Sequence, residues 1–197
     1  AIRWFVHSGI QNESGGVARY YRADLGKNNR VSTEITGYAL SSLVYLYHRT
    51  GDEQALTGAR PAADFLVSTA WDPALGIFPF EHSPNGDAPE PLAYFFDSGI
   101  IVRGLLALYR ATGETRYVEA AVRGGDSMDR YFRSGAVIHP VLRLPSFDPV
   151  PYAPQWSRSP GCYQLKSAMS WYDLGTETGE TRFRGWYDEA LAAALAT

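Results

Sequence analysis

Apolar side chains recur at helical spacing in several separate segments of the 197-residue chain. Between residues 34 and 49, Leu40, Leu43, Val44 and Tyr47 form the i, i+3, i+4, i+7 stripe of a helix with one buried face. The same periodicity predicts five further helices, over about 52–69, 97–111, 114–132, 162–177 and 180–196, and residues 1–9 indicate the end of another. The pattern therefore predicts an all-α protein.

A short sequence repeats between the predicted helices. Residues 46–52 (Leu-Tyr-His-Arg-Thr-Gly-Asp) recur as residues 108–114 and, more weakly, as residues 174–180, at spacings of 62 and 66 residues. Each copy carries a glycine suited to end one helix and an acidic residue suited to open the next. The chain is thus predicted to consist of helix pairs joined by tight turns. Long loops lie between the pairs, over about 11–31, 70–94 and 133–160.

Helix pairs of this kind build an α/α toroid or a superhelix. We expect a single domain over residues 1–197 that forms an incomplete or open toroid of about three helix hairpins, as part of a longer repeat architecture. The tight turns are expected on one rim and the long loops on the other, here called the long-loop rim. An open arc leaves its end faces uncovered, which predicts either homo-oligomers or a missing chain segment.

Three short motifs carry a resemblance to known proteins: Gly15-Gly16-Val17, the stretch Ser-Thr-Glu-Ile-Thr-Gly-Tyr at 32–38, and Phe96-Asp97-Ser98-Gly99. With them, the chain resembles the α/α-toroid (six-hairpin-like) proteins of carbohydrate metabolism, which include glycoside hydrolases, polysaccharide lyases and sugar epimerases. It is most similar to a bacterial group associated with exopolysaccharide metabolism, which carries Pro-Glu-Thr-Thr-Gly-Tyr and Phe-Asn-Thr-Gly. Asp97 stands where that group has Asn. The resemblance implies an oligo- or polysaccharide ligand.

The composition excludes several other classes of function. The net charge of −3 gives no basis for binding nucleic acid or an anionic membrane, and no apolar run approaches the length of a membrane span. The single Cys162 excludes an internal disulfide framework, which is compatible with the cytoplasm and with the periplasm. No phosphate loop, dinucleotide fingerprint or metal-ligand spacing occurs, so we expect no cofactor. Binding of a divalent ion by scattered carboxylates is left as an alternative.

Two carboxylates are the first candidates for chemistry. Glu34 and Asp97 lie in the first turns of neighbouring inner helices, at a separation of roughly 10 Å by helix-packing distance. Two carboxylates at such a separation suit an inverting glycosidase, in which one is the acid and the other the base. The alternative is structural, because the helix dipole favours acidic residues in any first turn.

Other candidates lie in the long loops or at the starts of the inner helices that follow them. His82, next to Glu81, could abstract the C5 proton of a uronic acid if it faces a tyrosine acid such as Tyr94 or Tyr163; otherwise it is an exposed loop histidine. The remaining candidates combine aromatic and amide groups, a mixture suited to sugar rings. They are Tyr38, Trp156, Tyr163 and Gln164. The alternative for Trp156 is a buried anchor of its loop.

Two hypotheses of function follow. The first is a carbohydrate-active enzyme or its degenerate relative, most simply a glycoside hydrolase, with a uronate lyase or sugar epimerase as the rival within that class. Its catalytic residues would be Glu34 and Asp97, with His82 in support. The second is a non-catalytic helical repeat module that binds a glycan or a protein partner. Binding without turnover would distinguish the second hypothesis from the first.

Overall fold

The computed structural model describes residues 1–82 and 91–196, and these ranges form seven α-helices. Their bounds are α1 Ile2–His7, α2 Thr33–Thr50, α3 Gln54–Phe65, α4 Phe95–Thr112, α5 Thr115–Phe132, α6 Leu165–Thr178 and α7 Thr181–Leu195. The all-α prediction is confirmed. The largest differences from the expected bounds are at the end of α3, which a π-helical turn, Leu66–Ala70, continues, and at the start of α6, which a 3-10 turn, Gly161–Gln164, delays.

Three helices, α2, α4 and α6, lie side by side as an inner layer, and small residues bring their backbones close together. A Cβ atom on Gly37 would lie 3.1 Å from the backbone of Ile101, and one on Gly104 would lie 2.8 Å from the Gly37 carbonyl oxygen. A Cβ atom on Gly99 would lie 2.6 Å from the Cβ of Ser167. Because contacts advance in the same direction along α2 and α4, these helices run parallel and both begin on one rim.

The outer layer consists of α3, α5 and α7, which pack on α2, α4 and α6 respectively, while α1 packs on α3. Large side chains fill the space between the layers, among them the fully buried Phe65, Phe95 and Trp171. Ion pairs join successive outer helices. Arg116 of α5 lies 2.9 Å from Asp64 of α3, and Arg182 of α7 lies 3.2 Å from Asp126 of α5. The predicted arc of an α/α toroid is confirmed.

The tight turns at 50–52, 112–114 and 178–180, which form the tight-turn rim, share one geometry. Gly51, Gly113 and Gly179 adopt left-handed backbone angles with φ of 69°, 72° and 74°. The threonine before each glycine donates its hydroxyl to the carbonyl four residues earlier and accepts the N–H two residues later. The repeat recognised in the sequence is therefore a repeat of hydrogen bonds as well.

Eight short strands organise the opposite, long-loop rim. They pair as β1 (Tyr21–Arg22) with β2 (Lys27–Asn28), β3 (Val31–Ser32) with β4 (Glu81–His82), β5 (Leu92–Tyr94) with β8 (Val141–Arg143), and β6 (Arg133–Ser134) with β7 (Val137–Ile138). All four pairs are antiparallel. Of the predicted loop 70–94, residues 83–90 lie outside the described ranges. Across those ranges, every helix is too short or too polar to cross a bilayer.

Candidate functional site

Glu34 is held in the first turn of α2 by a network of hydrogen bonds. The Ser32 hydroxyl accepts the Ile35 N–H at 3.3 Å and so caps the helix. The buried Thr36 hydroxyl donates to the Ser32 carbonyl at 2.7 Å and accepts the Val17 N–H at 2.9 Å. The loop before α2 is thereby tied to the helix, and the half-buried Glu34 side chain is presented at the long-loop rim.

Asp97 occupies the first turn of α4, directly after β5. The Phe95 N–H donates to the Pro140 carbonyl at 3.0 Å, which fixes the entry into the helix. The Asp97 residue is only 4% exposed, and its Oδ2 atom is buried with no hydrogen-bond partner among the described residues. A buried carboxylate oxygen without a donor disfavours the charged form of its group.

The two carboxylates leave their helices at the same level of the rim. Gly37, three residues after Glu34, packs against Ile101, four residues after Asp97, on a parallel neighbouring helix. Burial raises the pKa of Asp97 well above its usual range, and the negative charge of Glu34 raises it further, while Arg19 opposes the rise. Burial also raises the pKa of Glu34, although the charges of Arg19 and Lys166 lower it in part.

These environments separate the two carboxyl groups by role. Asp97 is fully desolvated and favours the protonated form, which can donate a proton. Glu34 is partly exposed and lies within the field of two cations, which favours its ionised form relative to Asp97. A protonated acid and an ionised base on one rim are the requirements for general acid–base chemistry.

Tyr94 adds a phenol to this pair. Its ring packs against Phe80 with a centroid separation of 5.0 Å. Burial raises the pKa of Tyr94, the nearby charge of Asp97 raises it further, and the charges of Arg158 and Arg19 act in the opposite direction. The hydroxyl therefore stays protonated beside Asp97 and is available as a hydrogen-bond donor.

Glu81 is placed at the same rim but is engaged by two arginines. Its carboxylate lies 2.8 Å from Arg30 and 3.4 Å from Arg19, and its side chain is 8% exposed. The Arg19 guanidinium also lies over the Phe80 ring, 4.9 Å from the ring centroid. Glu81 thus positions Arg19, whose charge reaches Glu34, Asp97 and Tyr94.

The structure does not bring His82 together with the carboxylates. His82 follows Glu81 in the strand β4, so the two side chains project to opposite faces. The His82 ring packs edge-on against Phe65 of α3, with the centroids 5.4 Å apart. Burial lowers the pKa of His82, which favours the neutral imidazole. Within the described ranges, no contact therefore joins His82 to Glu34 or Asp97, as its predicted supporting role would require.

A polar groove lies below the rim on the inner face of α4, between α2 and α6. This inner groove has a volume of about 290 Å³ and is lined by Tyr38 and Ser41 of α2, Arg103 and Arg110 of α4, and Lys166 and Asp173 of α6. Lys166 donates to the Tyr38 hydroxyl at 2.8 Å and so connects α2 with α6 across α4. Arg103 pairs with Asp173 at 2.8 Å. Tyr38 is therefore positioned at the mouth of the groove.

Trp156 extends this surface on the other side of Phe96. The Trp156 ring is 52% exposed and packs edge-on against Phe96, with centroids 5.0 Å apart. Gln164 is fully buried, and its amide donates to the carbonyls of Ser159 at 2.9 Å and Trp156 at 3.4 Å. Gln164 thus anchors the loop that presents Trp156. Tyr163 is 54% exposed, on the 3-10 turn before α6.

Lys166, Arg158 and Arg30 were not predicted from the sequence as residues of this site. Lys166 lies in the first turn of α6, at the level where Glu34 and Asp97 lie in α2 and α4, so the repeat could have identified it. Arg158 shares its 3-10 turn with Trp156. Within residues 1–82 and 91–196, no group of three His, Cys, Asp or Glu side chains is arranged to hold a metal ion.

Comparison with known proteins gives a fold without a family. No protein-family model matches the sequence, and no curated protein matches it. Among solved structures, a sugar epimerase from a ruminal bacterium superposes with a TM-score of 0.78 at 14% identity, covering 97% of this chain and 53% of the epimerase.

Two further structures share the fold. A family GH76 α-mannanase of Bacteroides thetaiotaomicron matches with a TM-score of 0.74 at 17% identity over 92% of this chain and 48% of its own. A cellobiose 2-epimerase of Spirochaeta thermophila matches with a TM-score of 0.76 at 16% identity over 96% and 51%. The present chain spans about half the length of these structures. At such identities the comparison establishes the α/α-toroid fold alone.

Proposed function

We propose that this chain is a carbohydrate-active protein with a glycoside hydrolase-like site, which acts on an oligo- or polysaccharide at the long-loop rim. One observation carries the proposal: Asp97 is buried, its Oδ2 atom has no hydrogen-bond partner among residues 1–82 and 91–196, and the second carboxylate Glu34 is near enough to raise its pKa. A helix needs no buried carboxylic acid at its start, because an exposed one interacts with the dipole equally well. Burying the Asp97 carboxyl group costs free energy, and a site that needs this group protonated gives a reason for the burial.

In the proposed reaction, Asp97 is the general acid and Glu34 the general base. Asp97 donates its proton to the glycosidic oxygen as the bond to the anomeric carbon breaks. Glu34 accepts a proton from the water that attacks that carbon from the opposite face of the ring. The protonated Tyr94 hydroxyl, close enough to Asp97 to feel its charge, is a hydrogen-bond donor available to the substrate. Arg19 and Lys166 keep Glu34 ionised relative to Asp97.

The proposed sugar-binding surface combines ring faces and polar edges. Trp156 offers exposed aromatic surface and the half-buried Tyr38 lines the inner groove, which offers hydroxyl, ammonium and guanidinium donors. Solved structures with this fold include a mannanase and sugar epimerases, which supports a carbohydrate ligand. The similarity of residues 32–38 to proteins associated with exopolysaccharide metabolism favours a polysaccharide.

A uronate lyase or sugar epimerase is the second candidate, and the position of Tyr94 favours it. A tyrosine kept protonated next to a buried carboxylic acid resembles the acid half of a proton-transfer pair at a C–H bond. Because His82 projects toward Phe65, Glu34 rather than His82 would then be the base. Both candidates need the same two carboxylates.

The experiment is a screen of oligo- and polysaccharides for binding and turnover with wild-type protein and three variants. Asp97→Asn and Glu34→Gln remove the proposed acid and base, whereas Glu114→Gln removes an exposed carboxylate on the tight-turn rim. We expect the first two variants to bind the ligand yet to lose about 10²- to 10⁴-fold in turnover. Glu114→Gln should retain both.

The readouts separate the candidates. Reducing ends without absorbance near 235 nm indicate a hydrolase, an unsaturated product indicates a lyase, and an altered sugar without chain cleavage indicates an epimerase. Binding by all proteins with no turnover by any would contradict the enzymatic proposal and leave the non-catalytic repeat module. If none of the ligands binds, the carbohydrate proposal itself is wrong.

A further inference from the structure

Several cationic side chains gather at the long-loop rim. Arg19 and Arg30 share the carboxylate of Glu81, at 3.4 and 2.8 Å. Lys166 and Arg158 have no carboxylate within ion-pair distance among residues 1–82 and 91–196.

Ion pairing elsewhere in the fold is mixed. Five helix arginines lie within ion-pair distance of an aspartate or glutamate: Arg60, Arg103, Arg110, Arg116 and Arg182. Other helix arginines, such as Arg123 and Arg130 of α5, have no such partner within the described ranges. The absence of an ion pair therefore does not mark a ligand site by itself, and the fixed position of the group has to be considered as well.

Lys166 is fixed in place without being neutralised. Its ammonium donates to the Tyr38 hydroxyl at 2.8 Å and lies 5.1 and 5.2 Å from the ring centroids of Tyr38 and Phe96. An ammonium group has three donors, so two of them have no partner in the described ranges. These contacts fix the position of the Lys166 ammonium at the rim, while two of its donors stay available to an acceptor.

Arg158 is positioned to act on the same group. It lies in the 3-10 turn Trp156–Arg158, and its positive charge reaches the Tyr94 hydroxyl, as does that of Arg19. Trp156 from the same turn packs on Phe96, the ring that also contacts Lys166. Lys166, Arg158 and Trp156 therefore surround one region of the rim with two cations and one exposed aromatic face.

We propose that the sugar bound at this rim carries an anionic group, a carboxylate or a sulfate, and that Lys166 and Arg158 bind it while Trp156 contacts the ring face. The inference rests on the proposed carbohydrate function and deepens it by naming the substrate class. A carboxylate or sulfate accepts charge-assisted hydrogen bonds from ammonium and guanidinium groups, and a neutral sugar does not offset their charge.

The test compares matched pairs of polysaccharides. Uronate-containing polysaccharides are used before and after chemical reduction of their carboxyl groups, and sulfated ones before and after desulfation, so that linkage and length stay the same. Binding is measured by calorimetry for the wild type, Lys166→Gln, Arg158→Gln and Lys27→Gln. Lys27 is the chain's other lysine, exposed on β2, and serves as the matched control.

We expect binding of one acidic polysaccharide, with a loss of about tenfold or more on its neutralisation, on Lys166→Gln and on Arg158→Gln. Lys166→Arg should recover part of the loss, and Lys27→Gln should bind like the wild type. The arm that loses affinity, carboxyl reduction or desulfation, identifies the anionic group. Affinity should also fall with added salt.

Equal binding of the acidic and neutralised forms would overturn this inference and leave the carbohydrate proposal standing. Binding of only neutral polysaccharides would do the same. Binding of no polysaccharide would overturn both. A melting temperature measured for each variant separates loss of the ligand from loss of the fold. A variant that melts lower yet binds normally counts against the inference.

Discussion

Glu114 on the tight-turn rim and Asp97 on the long-loop rim lie at opposite ends of the same helix pair, α4 and α5. Glu114 is partly exposed, and Arg60 and Arg116 donate to it at 3.1 and 3.0 Å. Although its slight burial acts the other way, these hydrogen bonds lower the pKa of Glu114. Asp97 is buried and unpaired at Oδ2, and its pKa is raised.

This difference distinguishes the tight-turn rim, whose residues hold the fold together, from the long-loop rim, which carries the candidate site. The tight-turn rim uses the same threonine and glycine in each of three units, and its polar groups satisfy one another locally. The long-loop rim has different residues in each unit: Glu34 in α2, Asp97 in α4 and Lys166 in α6. Glu114 on the tight-turn rim is paired with two arginines, whereas Glu34, Asp97 and Lys166 have no ion-pair partner within the described ranges.

The largest expected effect comes from forcing the inner helices apart near the long-loop rim. In Gly99→Ala, the new Cβ atom would lie 2.6 Å from the Ser167 Cβ and 2.7 Å from its carbonyl oxygen. The backbones must separate, so we expect the free energy of unfolding to fall by about 1–3 kcal/mol. Denaturant unfolding measures this change.

The matched control is Gly185→Ala in α7, whose Cβ atom would meet no atom within 4 Å. Since alanine favours a helix over glycine, this variant should be more stable by roughly 0.5–1 kcal/mol. Equal stability of the two variants would contradict the close approach of α4 and α6.

The three tight turns should respond alike to the loss of glycine. Gly51→Ala, Gly113→Ala and Gly179→Ala each place a Cβ atom in the left-handed region, at a cost of about 1–2 kcal/mol. In each case the Cβ atom itself meets no neighbour within 4 Å, so the cost is conformational. Thermal unfolding of the three variants checks the equivalence. A loss of stability in only one of the three variants would contradict the equivalence of the three turns.

Asp97 should make the stability of the folded protein depend on pH. Because the pKa of Asp97 is raised in the folded protein, stability is lost as the pH rises from the ordinary aspartate pKa through the folded value. Asp97→Asn removes this loss. At neutral pH we expect the variant to melt above the wild type, by about 2–4 °C for each kcal/mol gained.

Near pH 3, where both states of the wild type are protonated, the difference between the two proteins should vanish. Scanning calorimetry between pH 3 and pH 8 measures it. A variant that melts lower than the wild type at every pH would show that Asp97 stabilises the fold as an ionised cap.

Glu114 should give the smallest effect, with the opposite sign. Since its pKa is lowered in the folded state, its contribution is present above the ordinary glutamate pKa and is lost as the pH falls through the folded value. Its pairs with Arg60 and Arg116 are exposed to solvent and screened. Glu114→Gln should therefore cost only about 0.2–1 kcal/mol at neutral pH, and less in high salt. The same calorimetric series measures it, and a larger loss at acidic than at neutral pH would contradict this sign.

The helices and turns could be predicted from the sequence because both follow from local patterns. The stripe from Leu40 to Tyr47 determined α2, and Gly51 marked its end, where the structure places a left-handed residue. The 3-10 turn before α6 was not anticipated, since its start depends on how Gln164 holds the loop at Ser159 and Trp156. That contact lies outside any local periodicity.

The site was predictable only in part. Glu34 and Asp97 belong to the repeat, so their shared rim followed from the fold. The burial of Asp97 did not, because it depends on the strands β5 and β8, which come from loops with no repeated pattern. His82 illustrates the same limit: one residue of register in β4 decides whether a side chain faces Arg19 or Phe65.

The two layers of helices also differ in stiffness. The inner helices meet at glycines, backbone against backbone, and can approach no further. Successive outer helices are joined by solvent-exposed pairs such as Arg182 with Asp126. Lengthening a solvent-screened ion pair costs little free energy, whereas compressing a close steric contact costs much more. We therefore expect the arc to bend by spreading of its outer helices, while the inner groove keeps its width.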